Sequence, residues 1–298
     1  MSVPFAYLGV ILIWSTTPLA VKWSSVGGSF LFGVASRNVV GLLLGMALLL
    51  ALRIPLTINK HAWRAYVSVG VTLYLGLMGV YFGAQFVPSG LISVLYGWTP
   101  FFIAVFALLW FGENNFSVGK SFGMLLGISG LVVIFSDSLQ LGESALLGIT
   151  AVLLSVAVHA FGSLWFKRVH VEGLSAMAVT VGGLWVSLPL FLLSWWLLDG
   201  SVPSEPPSRT IAAIVYLGVF GSVLGAMLYF YALHHLGAMS MSLLTLITPV
   251  AALVLGVVAN DEHISTDTLY GVALILWGLV MFQFEGIRRR WSLYRMRA

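Results

Sequence analysis

Cysteine is missing from all 298 residues, so disulfides, thiolate metal sites, iron–sulfur clusters and cysteine nucleophiles are excluded, while compartment is left open. Charge is almost as scarce. Only 8% of residues are Asp, Glu, Lys or Arg, against roughly 25% in a soluble domain, too few to cover a water-facing surface. His-Glu-x-x-His zinc sites, Walker loops and metal-spaced carboxylates are lacking as well, so metal hydrolysis and ATP-driven pumping have no support in the sequence. No Asp or Glu stands near the middle of any apolar run, which argues against a carboxylate relay for protons or sodium. No cofactor is expected.

What remains is apolar. Sixty per cent of the residues are hydrophobic, the mean hydropathy is +1.03, and no intervening loop is long enough to hold a soluble domain. A helix crossing the hydrocarbon layer needs about 20 mostly apolar residues. Polar and Gly/Pro punctuation divides the chain into ten such runs: Pro4 to Lys22, Phe30 to Leu52, Ala65 to Phe86, Ser89 to Phe111, Gly119 to Phe135, Ala145 to Phe166, Leu174 to Leu197, Thr210 to Leu233, Ala238 to Ala259 and Thr268 to Phe284. The runs are continuous rather than alternating, which excludes a transmembrane β-barrel. The expected fold class is an all-α integral membrane protein. The first run lacks a basic flank and a cleavage site and reads as a retained helix rather than a signal peptide.

The basic residues set the expected orientation. With a cytoplasmic N-terminus, Arg53, Lys60, Arg64, Lys120, Lys167, Arg168 and the tail arginines 288, 289, 290, 295 and 297 all fall inside, 11 of 14. Both termini are therefore expected in the cytoplasm. The tail at 289–298 reads as a surface anchor for the lipid bilayer, and no basic folded face accompanies it to suggest nucleic acid.

Slid by 149 positions, the chain lays Pro100 on Pro249, Glu113 on Glu262 and Gly76 on Gly225, and an offset of 145 lays Lys22 on Lys167. The repeat unit is thus five helices, 1–140 and 141–288. An odd number of spans sends the second unit in from the opposite face, so the topology is inverted. Inverted repeats place a binding site near the midplane and favour alternating access by a secondary transporter.

Several positions are candidates to line that path. Tyr74, Met78, Tyr81 and Gln85 share one face of the third helix by their i, i+4, i+7, i+11 spacing, and the eighth helix echoes it with Val223, Met227, Phe230 and His234. Pro100 and Pro249 stand inside apolar helices, free the carbonyls of Tyr96 and Thr245, and are candidate hinges. Trp98 offers a flat stacking surface. His159 lies in the middle of the sixth helix, matching Trp14 in the first, and is the only midspan group able to titrate near neutrality. Arg37, Asn38 and Gln85 are the polar side chains whose burial needs explaining. Each of these positions also has an ordinary packing explanation, and Arg37 has two readings, a clamp for a substrate carboxylate or a strut on freed carbonyls.

The order of these features resembles the EamA family of the drug/metabolite transporter superfamily over essentially the whole chain. The resemblance is carried by "WSTTPLAVK" from Trp14 to Lys22, Arg37, the series Ser93, Pro100, Glu113 with its echo Ser242, Pro249, Glu262, and the glycines Gly123, Gly127 and Gly130. It implies a ten-helix, five-plus-five inner-membrane exporter of metabolites or amino acids, most like the YddG-type exporters of aromatic amino acids. In such a family an arginine at this place recurs whatever the substrate, which favours the strut for Arg37. Broad metabolite or multidrug export is the closest rival. A channel, or a serine protease built on Ser129 in "GISG" with His159, is more distant, because the glycines around Ser129 suit close helix packing.

Overall fold

A computed structural model describes residues 2–113, 116–141, 143–169, 173–229, 231–232, 235 and 244–295, with side chains undescribed at 111, 138–141, 143, 167 and 284–295. Phe230, His234, Ser242 and the end of the tail lie outside the described residues or side chains. Every regular element among them is a helix. They are α1 (Val3–Trp23), α2 (Phe30–Ala51), α3 (Lys60–Gly83), α4 (Ser89–Tyr96), α5 (Thr99–Phe111), α6 (Val118–Leu141), α7 (Glu143–Arg168), α8 (Ala176–Leu198), α9 (Ser208–Tyr216), α10 (Leu244–Asn260) and α11 (Thr266–Arg295). Nine stretches among the described residues are long and apolar enough to cross a membrane, α4 and α5 counting as one, and α10 is a shorter apolar helix of 17 residues. The chain is a multi-pass integral membrane protein.

Three expectations about the helices are corrected. The fourth run is not one helix. Pro100 has no N–H to continue the ladder, the N–H groups of Gly97 and Trp98 turn back tightly onto Val94 and Leu95, and α5 restarts at Thr99. The eighth run passes from α9 into a π-helical stretch, Leu217–Leu224. The last helix continues past Phe284 to Arg295, so the helix takes in most of the expected tail.

Glycine decides how closely the helices pack. A Cβ on Gly123 of α6 would lie 2.6 Å from the Gly278 carbonyl of α11, and one on Gly79 of α3 would lie 2.8 Å from the Ala151 carbonyl of α7. Backbones that approach this closely gain dispersion along their whole length, the main attraction left when lipid removes the hydrophobic drive. Asp137 at the end of α6 accepts the hydroxyls of Ser265 and Thr268 and ties down the start of α11. Ser129, beside these glycines, is exposed and donates to Leu125 of its own helix. Gly123→Leu is expected to force α6 and α11 apart and lower the yield of monodisperse protein at least several-fold, measured by size-exclusion chromatography. Ile128→Leu, at an exposed position on α6, serves as control.

Loops gather at two ends. The exit of α1, the entries to α4 and α9 and the exit of α10 meet at one end, where Thr210 bonds the Val26 carbonyl and Arg209 the Ala259 carbonyl. At the far end the entry of α3 packs on Phe166 and Val169 at the exit of α7 and on Val179 of α8.

Candidate functional site

At the first end an acidic side chain is held from several sides. Glu262, just past α10, accepts the Ser89 N–H at 2.8 Å and the Ser89 hydroxyl at 3.0 Å, both at the entry to α4, and the Asn260 amide at 2.9 Å. Lys22, at the exit of α1, lies 3.4 Å from the same carboxylate and also donates to the Val87 carbonyl. Trp23 donates to Asn260 and carries the Arg209 guanidinium on its ring, 3.5 Å from the centroid. Burial alone would raise the Glu262 carboxyl. The Ser89 N–H, the Lys22 ammonium and the Ser89 and Asn260 side chains outweigh it and hold the group below its ordinary value. A carboxyl lowered in this way keeps its full contribution above its ordinary range and loses it only as pH falls through the lowered value. This clasp joins α1, α4, α9 and α10.

The far end carries a looser counterpart. Arg168, at the exit of α7, lies 3.6 Å from Glu113 after α5, with both side chains more than half exposed. Glu113 and Glu262 are the residues that overlay in the 149 offset, and Arg168 adjoins Lys167, the counterpart of Lys22. The sequence pairing flagged both glutamates as loop residues. Each meets a cation at the exit of a long helix, Lys22 of α1 and Arg168 of α7, a pairing the two offsets did not spell out.

Between the ends, polar side chains gather where α3, α4 and α7 meet. Ser155 of α7 donates to the Gly76 carbonyl at 2.6 Å, which uses its only hydrogen, so the Tyr96 hydroxyl 3.0 Å away is the donor in their contact. The His159 ring lies beside Tyr96 with centroids 6.1 Å apart. Leu147, Leu154 and Trp165 form an exposed stripe on α7, and His159 projects from the other side, one turn beyond buried Ser155. Yet His159 is itself exposed. His159 thus combines exposure with a place beside Tyr96 and Ser155 at midspan.

The other expected lining residues are distributed differently. The α3 face does not act as a unit. Tyr81 is fully buried, with its hydroxyl near Ser24, and Tyr74 packs on buried Phe191 with its hydroxyl against Ser194 of α8. Met78 and Gln85 line a separate groove of about 590 Å³ at the first end, with Phe30, Phe82 and Leu198. Gln85 lies past the end of α3 and is exposed, so the premise that it is buried fails. The Tyr96 carbonyl expected to be free accepts the Thr99 hydroxyl at 2.7 Å. Trp14 stacks on Tyr229 with centroids 5.1 Å apart. Thr245 receives the Gln283 amide at 2.8 Å, and Asn38 bonds back to Val34 in its own helix. Pro249 stays inside a continuous α10, and Pro100 stands at the start of α5, where its missing N–H costs nothing.

Trp98 is corrected most sharply. It is 6% exposed and packs on Phe101 and Phe102, with Gly127 of α6 against its ring edge. It belongs to the packed core. Trp98→Ala is expected to cost about 3–5 kcal/mol of stability by leaving a cavity, seen as lower thermal stability in detergent.

The comparisons with known proteins agree with this architecture. The model of the EamA-like transporter family matches residues 1–136 and 146–284. The uncharacterized transporter YoaV of Bacillus subtilis is 27% identical over 297 residues, covering 97% of this chain and 99% of its own length. An Escherichia coli protein named "Probable amino-acid metabolite efflux pump" is 26% identical over 211 residues, 68% of this chain and 70% of that protein. A solved crystal structure superposes with a TM-score of 0.65 at 22% identity, covering 96% of this chain and 98% of that one, and shares the fold.

Proposed function

The chain belongs to the EamA-like transporter family, and from that premise we propose that it is a secondary transporter exporting small metabolites, aromatic or other apolar amino acids first among them, across the inner membrane. The observation that carries the reading is the exposed His159 on the inner flank of α7, beside Tyr96 and Ser155, which on this reading lines a recess within the bundle. Apolar and aromatic walls with hydroxyl and imidazole groups suit a zwitterion with an apolar side chain, and the acids whose side chains are described all stand in the end turns of helices or in loops. The efflux role named for the Escherichia coli relative supports the direction of transport.

Transport runs by alternating access between two inverted halves. The Lys22–Glu262 clasp closes the first end, and the exposed Glu113–Arg168 pair is its counterpart at the far end. The basic loop residues Arg53, Lys60, Arg64, Lys120 and Arg168 support a cytoplasmic far end, and with it the reading of this state as inward-facing. The break at Gly97 and Trp98 before Pro100, and Pro249 in α10, are the hinges about which these helices bend.

Purified protein in liposomes tests the reading through uptake of labelled phenylalanine, tryptophan and threonine, with and without a pH gradient. Saturable aromatic uptake that survives collapse of the gradient is expected. A folded preparation that moves none of the three sinks the amino-acid assignment.

A further inference from the structure

Arg37 sits about two turns into α2 and is 4% exposed. Its Nη2 donates to the Ser222 hydroxyl at 3.1 Å, while Nε and Nη1 are buried without any hydrogen-bond partner. The Tyr81 ring lies 6.0 Å from its Cζ. A guanidinium does not shed its proton in a protein, so this is a permanent buried charge with most of its donors idle. Such a charge is expensive unless an anion answers it. The acids whose side chains are described are engaged elsewhere or stand in loops or the first turn of a helix, Glu262 with Lys22 and Ser89, Asp137 with Ser265 and Thr268, Glu113 with Arg168. A strut on carbonyls, the reading first favoured, leaves the two idle nitrogens unexplained.

The partner segment is unusual too. Ser222 stands in the π stretch and donates to the carbonyl of Leu217, five residues back. The widened turn presents Ser222 and Gly221 to the guanidinium, and a Cβ on Gly221 would come within 3.2 Å of Nη2. Single π turns inside helices recur at functional sites. Nη2 has two hydrogens and Ser222 takes one, so whichever it takes, one edge of the guanidinium keeps two parallel donors. That edge matches the two oxygens of a carboxylate.

We propose that Arg37 is the anchor for the substrate's carboxylate, held ready by Ser222. The assignment rests on the transporter reading above and narrows it to carboxylate-bearing solutes.

The test is equilibrium binding to the purified full-length protein in detergent, with thermal unfolding as a parallel readout. Labelled phenylalanine is competed with 3-phenylpropionate, which keeps the carboxylate and lacks the amine, and with phenylalaninamide, which keeps the amine and lacks the charged carboxylate. The acid is expected to compete and the amide to fail. Arg37→Gln should weaken binding of both acids about a hundredfold, and Arg37→Lys should recover part of it. Equal competition by acid and amide in the wild-type protein overturns the assignment without any variant. So does wild-type affinity in Arg37→Gln. If phenylalanine does not bind but 3-phenylpropionate raises the unfolding temperature of the wild type and not of Arg37→Gln, the anchor stands and the amino-acid reading falls. If neither acid binds or stabilises, the anchor falls.

Discussion

Replacing His159 by tryptophan is expected to reduce substrate flux to background while leaving folded yield and unfolding temperature near wild type. The imidazole is the exposed side chain on the inner flank of α7 and meets Tyr96 rather than a packed core. A larger ring there enters open space, so it blocks passage without displacing neighbours. The contrast with Trp98→Ala is deliberate. That change empties a filled position and is read mainly as lost stability, whereas His159→Trp fills an empty one and is read as lost flux in intact protein. Flux per folded molecule in liposomes separates them. Wild-type flux through His159→Trp removes the recess from the path.

Glu262→Ala is expected to shift the protein strongly toward a state open at the first end, while Glu113→Ala has little effect. Glu262 is 8% exposed and its carboxylate serves Lys22, Ser89 and Asn260 together. Removing one partner of a fully buried ion pair costs about 3–5 kcal/mol; Lys22 keeps 30% of its side chain exposed, so the lower end applies, and about 3 kcal/mol shifts a two-state equilibrium by about a hundredfold. An exposed pair such as Glu113–Arg168 contributes about 0–1 kcal/mol. The readout is modification of a single cysteine placed at Trp23 by a thiol reagent, rapid only when the Asn260 end swings away. Because the Glu262 carboxyl is held low, acidification should loosen the clasp only below the ordinary carboxylate range, and the same cysteine should stay protected between pH 5 and 8. Equal labelling in both alanine variants removes the clasp as a gate.

The helices were legible because lipid imposes a length and a hydropathy on any span, and the glycines of α6 because close approach admits no other residue. The break before Pro100 was half legible. Proline announces a lost hydrogen bond, but whether the helix parts, as at Gly97, or runs on, as at Pro249, depends on neighbouring turns that no spacing encodes. Trp98 misled because an indole suits a packed interior as well as a binding wall, and only its neighbours decide. Gln85 misled by one turn, since α3 ends at Gly83 and the amide falls outside the helix whose face it was assigned to. The π stretch opposite Arg37 left no mark in composition, because it is a change of hydrogen-bond register. The Glu262 clasp was not spelled out by the two repeat offsets, which paired like charges and left the opposite signs to be set side by side.

The absence of native cysteine makes the central claim directly testable. Ser163 lies one turn beyond His159 toward the far end and bonds only to its own helix at the His159 carbonyl. Ser163→Cys in oriented membranes, treated with a membrane-impermeant maleimide from each side, reports whether the recess opens to the cytoplasm. The account predicts labelling from the cytoplasmic side that slows when phenylalanine is present. Labelling from the opposite side alone, or no labelling from either side, contradicts an inward-facing path through the bundle.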